Sequence, residues 1–340
     1  MTTATARAYP NIALVKYWGK QDEDLILPVA GSLSLTLDAF PTTTTVALDA
    51  ATGTDTGTDT GIDTFSLNGA VATADATGRV TRFLDRVREL AGSETRATVT
   101  STNEAPTGAG LASSASGFAA LATAAAAAYG LDLDRRDLSR LARRGSGSAS
   151  RSLVDGLAVW HAGDDAHSYA EAVAGPDMRM VIVTVDTAQK AVSSRAAMRR
   201  TALTSPFFPA WISSTEESLA AMLEACAADD FTRVGRITES HALRMHAVIQ
   251  SCDPPIRYLA PTSVAVFDAV AALREQGLEA YSTADAGPNV AVIVRPEQAE
   301  DLRDALAGFG SVRLVGAGDG ARLIDAGATA AAEARPGAGA

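Results

Sequence analysis

Cysteine is nearly missing from this chain: Cys226 and Cys252 are the only two among 340 residues. Two thiols are too few for a disulfide framework or a cysteine-cluster metal site. Lysine is almost as scarce, with Lys16, Lys20 and Lys190 the only three among 29 basic residues. No apolar run approaches the ~18 residues that a membrane-spanning helix needs. Positive charge is in deficit, since 29 Lys and Arg against 40 Asp and Glu leave a net charge of −11. That balance argues against non-specific binding to nucleic acid or anionic lipid, while allowing a local basic pocket for a small anion. The opening stretch MTTATARAYPNIALVKYWGK lacks the apolar core of a signal peptide. The expectation is a soluble, cytoplasmic protein. Neither Gly-Lys-[Ser/Thr] nor Gly-x-Ser-x-Gly occurs, so a P-loop and a hydrolase nucleophile elbow are both without support.

What is there is enough to build a core. Hydrophobic residues make up 47% and charged residues 20% of the chain, and at ~150 residues per domain its length predicts about two domains. The first hundred residues read mostly as strands, with β-branched alternation at 42–49 and 97–102 and an Asn68-Gly69 hairpin signal between them. The Thr/Gly/Asp tract at 51–64 reads as a solvated loop. Val80, Phe83, Leu84, Val87 and Leu90 share one helical face. An Ala-rich helix follows a Gly-rich loop and ends at Gly130, and a second helix starts from Asp134 and stops at Gly145. Buried strands are predicted at 156–162 and 178–185. Helical periodicity then dominates at 193–203, 214–227, 230–250 and 262–276. Strands at 278–284, 290–295 and 311–315 surround a last helix at 297–307. This order predicts an α+β protein with domains at 1–187 and 188–327 and a frayed tail at 328–340.

Two motifs are set aside. GAGDGA at 316–321 matches a dinucleotide fingerprint, but the helix, second strand and acidic residue it requires have no room before the chain ends. His241 and His246 lie five apart, about 500° around a helix at ~100° per residue, so they diverge and cannot form the four-apart zinc pair. They read as packed or surface histidines.

The segment 106–117, PTGAGLASSASG, has the chemistry of a phosphate cradle. Its glycines expose backbone N–H groups, and the following helix points its positive end at the same place. Ser113 and Ser114 fall in the first turn, within reach of phosphate or magnesium. In NIALVKYWGK, two of the three lysines stand four apart beside Tyr17, Trp18 and Gly19. Compact ammonium groups suit a diphosphate or the phosphates of ATP. In RRGSGSASRSLVDG, hydroxyls and backbone N–H groups precede Arg151, whose fork can hold a carboxylate. Asp285, in DAGPN at a strand end, can orient a hydroxyl or take its proton.

Together these blocks resemble the GHMP small-molecule kinases, and within them the mevalonate diphosphate decarboxylase branch. The likeness spans residues 8–320 and includes Leu67-Asn68-Gly69 and RLVGAG at 313–318. It implies a two-domain GHMP kinase fold, with a ribosomal protein S5 domain 2-like N-terminal domain and a ferredoxin-like C-terminal domain. It also implies ATP and Mg2+ as cofactors, 5-diphosphomevalonate as substrate and a homodimer. By the same resemblance Lys16 lies near the reacting hydroxyl, Asp285 is its base, and Arg151 holds the substrate carboxylate. Tyr17, Trp18, Gly19, Lys20, Arg79, Ser146, Gly147, Ser148, Ala149, Ser150 and Thr201 would border the substrate. Asn103, Pro106, Gly108, Gly110, Leu111, Ala112, Ser113 and Ser114 would hold the nucleotide, Ser114 also acting on the transferring phosphoryl group. Metal ligands are left open. The chain departs from the family pattern at Ser150, where a cysteine is usual, and at Ala284, where an aromatic is common. The alternatives are a phosphomevalonate decarboxylase, a kinase that does not decarboxylate, and a silent binding protein of the same fold.

Overall fold

The computed structural model describes residues 2–48, 61–104, 113–186 and 191–325. The first half runs β1 (Thr3–Ala8), β2 (Asn11–Val15), β3 (Lys20–Asp22), β4 (Leu27–Pro28), β5 (Ser32–Thr36), β6 (Thr42–Leu48), β7 (Thr64–Leu67) and β8 (Ala70–Val71). Then come α1 (Ala74–Ala91), β9 (Ala97–Asn103), α2 (Ser113–Ala128), α3 (Arg135–Gly145), a 3-10 turn at Gly147–Leu153, β10 (Leu157–Trp160) and β11 (Ala170–Ala172). The second half opens with β12 (Arg179–Thr184), followed by α4 (Ser194–Thr204), α5 (Phe208–Ala227), α6 (Phe231–Gln250) and α7 (Pro261–Glu275). It closes with β13 (Ala280–Thr283), β14 (Val290–Val294), α8 (Ala299–Leu306), β15 (Ser311–Val315) and β16 (Arg322–Ile324).

Two sheets carry the first half, in the orders β16-β1-β6-β9-β7-β8 and β11-β10-β5-β2. Asn68 and Gly69 turn the β7–β8 hairpin with φ of 51° and 76°, the left-handed pair its type demands. Ala-rich α2 is buried along nearly its whole length. Its small side chains let it lie close against β1, β6 and the 3-10 turn, which fixes its N-terminus beside Ser146. Asp134 caps α3 by accepting from the Asp137 N–H at 2.8 Å.

The third sheet has the order β13-β14-β12-β15, all antiparallel. With α7 and α8 this is a β-α-β-β-α-β ferredoxin-like unit. Along β12, Met180 and Ile182 enter one core with β2, β5, α5 and α6, while Val181 and Val183 enter another with α7 and α8. That alternation makes the ferredoxin-like sheet share a core with the first half, so α5 and α6 lie directly behind β2.

Strand pairing crosses the expected division. β12 lies before residue 187 yet pairs with β14 and β15, and β16 returns from the far end to pair with β1. The pattern MRMVIVTV announces a buried strand without saying which sheet takes it. Three smaller expectations also shift. Thr64 opens β7 instead of closing a loop, Leu90 is exposed at the last turn of α1, and α5 starts six residues early because Pro209 is tolerated in its first turn. The turn at 316–321 is followed by edge strand β16, not a helix. Its glycines serve backbone packing, since a Cβ at Gly318 would stand 1.9 Å from the Leu37 carbonyl oxygen. The segment 187–190, with Lys190, and the tail from 326 lie outside the described residues.

Candidate active site

β2 is buried at all five positions and ends at Val15, so the chain leaves the sheet with Lys16 already inside the protein. Lys16 is 1% exposed, and its Nζ donates to Asp285 Oδ1 at 2.6 Å. Asp285 follows β13 and comes from the other half of the chain. Burial lowers the Lys16 pKa, the adjacent Asp285 carboxylate opposes that, and Arg151 adds to the lowering. These three residues therefore occupy one electrostatic neighbourhood.

Arg151 sits in the 3-10 turn, 2% exposed. Its Nε donates to Ser34 Oγ at 2.9 Å and Asn11 Oδ1 at 3.2 Å, and its Nη1 donates to Ser32 Oγ. Its guanidinium carbon stands 5.8 Å from the Trp160 ring centroid. Burial brings its pKa down to about 10, against the pull of Asp285 and Tyr17, so it remains cationic at neutral pH. Nη2 has no protein acceptor among the described residues, leaving one edge of the fork for a ligand. Ser32, Ser34 and Asn11 are site residues that the sequence reading missed. Only their inward alternation on β5 and β2 could have pointed to them.

The hydroxyls of Ser114, Ser146 and Ser148 form a row, 3.3 Å and 3.5 Å apart, from the first turn of α2 into the 3-10 turn. Ser113 opens α2. The expected cradle residues Pro106, Gly108, Gly110, Leu111 and Ala112 lie outside the described residues. Asn103 ends β9, where its N–H donates to Asn68 Oδ1 at 2.8 Å. Ser150 is turned inward and donates to the Gly147 carbonyl at 2.8 Å, and Ala149 is fully buried. These two shape the turn from behind.

Tyr17 packs edge-on to Trp160 with centroids 4.7 Å apart, and both rings press on Gly147. Burial raises the Tyr17 pKa, and its Oη has no partner among the described residues. Trp18 is buried with Nε1 likewise unpartnered, its ring 6.5 Å from that of Tyr258. Gly19 has φ +119°, and a Cβ there would meet Phe208 at 2.7 Å. Lys20 pairs with Glu23. Arg79 lies within α1, over the Phe118 ring at 5.3 Å. Thr201 is buried on α4 and donates to the Ala197 carbonyl of its own helix at 2.8 Å. Arg195, near the start of α4, repels charge on Arg79 and bears on Tyr17. It joins this cationic border with no sequence signal beyond being one more arginine.

The histidines are not on the surface. His241 Nδ1 accepts the Lys16 backbone N–H at 3.1 Å, and His246 Nε2 bonds the Ala284 carbonyl at 3.2 Å. Burial, followed by nearby charge, holds their pKa values down to about 3 and about 4. Ala284 itself is 1% exposed, within the core that α7 and α8 share with the third sheet.

Buried cations around a single carboxylate, a hydroxyl row at a helix N-terminus and this two-part fold define a GHMP-kinase-fold enzyme that handles phosphorylated small molecules. The profile described as "Diphosphomevalonate decarboxylase-like N-terminal domain" matches residues 8–171, and "Mevalonate 5-diphosphate decarboxylase C-terminal domain" matches 180–313. A diphosphomevalonate decarboxylase from Ganoderma lucidum is 37% identical, over 92% of this chain and 87% of the relative. The mevalonate diphosphate decarboxylase of Enterococcus faecalis, solved in work on mevalonate diphosphate mediated ATP binding, superposes with a TM-score of 0.87 at 42% identity. That match covers 95% of this chain and 99% of the other. A further structure, described as MDDEF in complex with MVAPP, AMPPCP and magnesium, gives 0.88 at 43% identity over the same shares. The chain belongs to the diphosphomevalonate decarboxylase family.

Proposed function

We propose that this protein catalyses ATP + 5-diphosphomevalonate → isopentenyl diphosphate + ADP + phosphate + CO2. The observation that carries the reading is the Lys16–Asp285 contact of 2.6 Å within the field of Arg151. Two buried cations and one carboxylate leave a local surplus of positive charge, which an anionic substrate offsets.

The tertiary 3-hydroxyl is a poor leaving group, so it is first phosphorylated. Asp285 orients the hydroxyl and accepts its proton as the oxygen attacks the γ-phosphorus of ATP. Lys16 and the Ser114 hydroxyl offset charge on the transferring phosphoryl group. Arg151 presents its open edge to the substrate carboxylate and aligns the C–C bond with the departing phosphate. As phosphate leaves with the C–O electron pair, the C–C pair forms the alkene and CO2 is released. Ser146, Ser148 and Arg79 face the diphosphate, with Tyr17, Trp18, Gly19, Lys20 and Thr201 bordering the substrate. Asn103, Ser113 and the 106–112 loop hold the nucleotide. Among the described residues no group of three or more His, Cys, Asp or Glu is arranged to hold a metal. The Ser114 hydroxyl, in the first turn of α2 beside Ser146, would help to hold a magnesium ion, which would supply positive charge to the transferring phosphoryl group. No helix among the described residues is long and apolar enough to cross a membrane. The family resemblance extends the reading to a cytoplasmic homodimer.

The test is incubation with ATP, Mg2+ and 1-14C-labelled mevalonate 5-diphosphate or 5-phosphate, measuring ADP and 14CO2. Both products from the diphosphate are expected. ADP without CO2 makes the protein a kinase, CO2 from the monophosphate alone makes it the alternative decarboxylase, and neither product makes it a binding protein.

A further inference from the structure

Lys16 and Asp285 both sit just beyond the ends of strands, where the backbone has left its ladder and its polar groups need other partners. Helix α6 supplies two of them. His241 Nδ1 accepts the N–H of Lys16 itself, and His246 Nε2 donates to the carbonyl of Ala284, the residue before Asp285. A neighbouring contact braces the same segment: Trp211 of α5 donates from Nε1 to the Trp18 carbonyl at 2.8 Å. Nothing in the proposed chemistry uses either imidazole, although both are buried, at 0% and 2% exposure.

The five-residue spacing that excludes a shared metal is what allows this arrangement. At about 100° and 1.5 Å per residue, the two rings leave α6 about 140° apart and are offset by roughly 7.5 Å along it. One helix thus reaches a segment after β2 with one ring and a segment after β13 with the other. Gly235, on the same helix, lets the backbone press against the Tyr281 ring of β13. The His241 tautomer is also set. Because Nδ1 accepts, Nε2 carries the proton, and it faces Thr215 Oγ1 at 3.3 Å, whose own proton goes to the Trp211 carbonyl at 2.7 Å. The Trp211 ring lies 4.7 Å from the imidazole and holds its plane.

We propose that His241 and His246 are positioning residues: a pair of neutral imidazoles on α6 that clamp, from behind, the backbone segments bearing Lys16 and Asp285 and so fix the separation of the two reacting groups. This rests on the proposed decarboxylation only for its kinetic arm. Truncation at either ring frees a backbone group at the strand end and lets the Lys16–Asp285 geometry drift, which affects the transition state more than substrate binding.

The test compares His241→Leu and His246→Leu with His241→Asn, which keeps an acceptor near the Nδ1 position, and His246→Gln, which keeps a donor near the Nε2 position. The leucine variants are expected to lose kcat at least tenfold with KM for both substrates changed less than about threefold. Asn and Gln should recover most of the loss. Equal kcat in leucine variants and wild type, or no recovery by Asn and Gln, overturns the proposal. A second measurement does not depend on the reaction. With three lysines in the chain, 15N-lysine labelling yields three backbone amide signals, and Lys20→Arg and Lys190→Arg assign Lys16 by elimination. The Lys16 amide proton is expected to stand downfield in wild type and His241→Asn and to move upfield in His241→Leu. An unmoved signal in His241→Leu removes the clamp. Absence of turnover in the wild type, with the amide shift present, sinks the decarboxylase reading and leaves the clamp standing.

Discussion

Lys16 and Asp285 stand 269 residues apart in the chain and 2.6 Å apart in the fold, the ammonium 1% and the carboxylate 29% exposed. The lysine comes from the exit of a first-half strand and the aspartate from the exit of a ferredoxin-like one. Their contact closes the site between the two parts.

Asp285→Asn keeps the shape and removes the proposed base. A positioned general base contributes roughly 10²–10⁴-fold, so kcat is expected to fall by about 10³ while ATP affinity by calorimetry changes less than about threefold. Near-normal turnover would remove Asp285 from the mechanism.

Arg151→Lys is not conservative here. Lysine cannot reproduce a planar fork that spans Ser32, Ser34 and Asn11 and still offers an edge outward. Hydrogen bonds to a charged group are worth about 1.5–3 kcal/mol each, so the variant should melt measurably below wild type. Its kcat/KM for diphosphomevalonate should fall roughly 100-fold. A lysine variant with unaltered kinetics would show that the guanidinium does not meet the carboxylate.

Much of the candidate site stands out in the sequence, residue by residue, for different reasons. Lys16 and Lys20 stand out because arginine is this chain's habitual cation, and Arg151 because six small residues frame it on its N-terminal side. Ser113 and Ser114 follow from a glycine-rich loop running into a helix. The assignment of β12 and β16 to their sheets was not legible, because a buried strand pattern does not name its neighbours. That His241 and His246 are packed rather than on the surface is not legible, for a similar reason. Their partners are backbone groups 225 and 38 residues away, and a backbone partner leaves no side-chain signature in the sequence. Ser32 and Ser34 look like the polar half of any alternating strand until Arg151 is placed against them.

Gly147→Ala tests the aromatic wall. A Cβ there would stand 2.8 Å from Trp160 and 2.9 Å from the Tyr17 ring, and overpacking of this kind costs about 1–3 kcal/mol. The ring of Tyr17 is the less confined of the two, so it should move. The expected result is a roughly tenfold higher KM for diphosphomevalonate with ATP affinity nearly unchanged. Equal KM values in variant and wild type would show that Tyr17 does not border the substrate.

The two buried histidines also set how the protein meets acid. Unfolded, each imidazole takes up a proton below about pH 6.5. Folded, burial delays that to about 3 for His241 and about 4 for His246. Between those limits the unfolded state binds more protons, so stability is lost as pH falls, by up to about 1.4 kcal/mol per pH unit for each histidine. Carboxylates with lowered folded pKa, such as Asp165 and Glu279, add their loss only at lower pH, below the unfolded carboxylate range near ~4. The interval from pH 6.5 to pH 5 therefore isolates the imidazoles. Urea midpoints measured across it should fall steadily for the wild type and much less for the double variant His241→Asn, His246→Gln. Parallel slopes for the two proteins would mean that these rings accept protons in the folded state and are not held neutral behind Lys16 and Asp285.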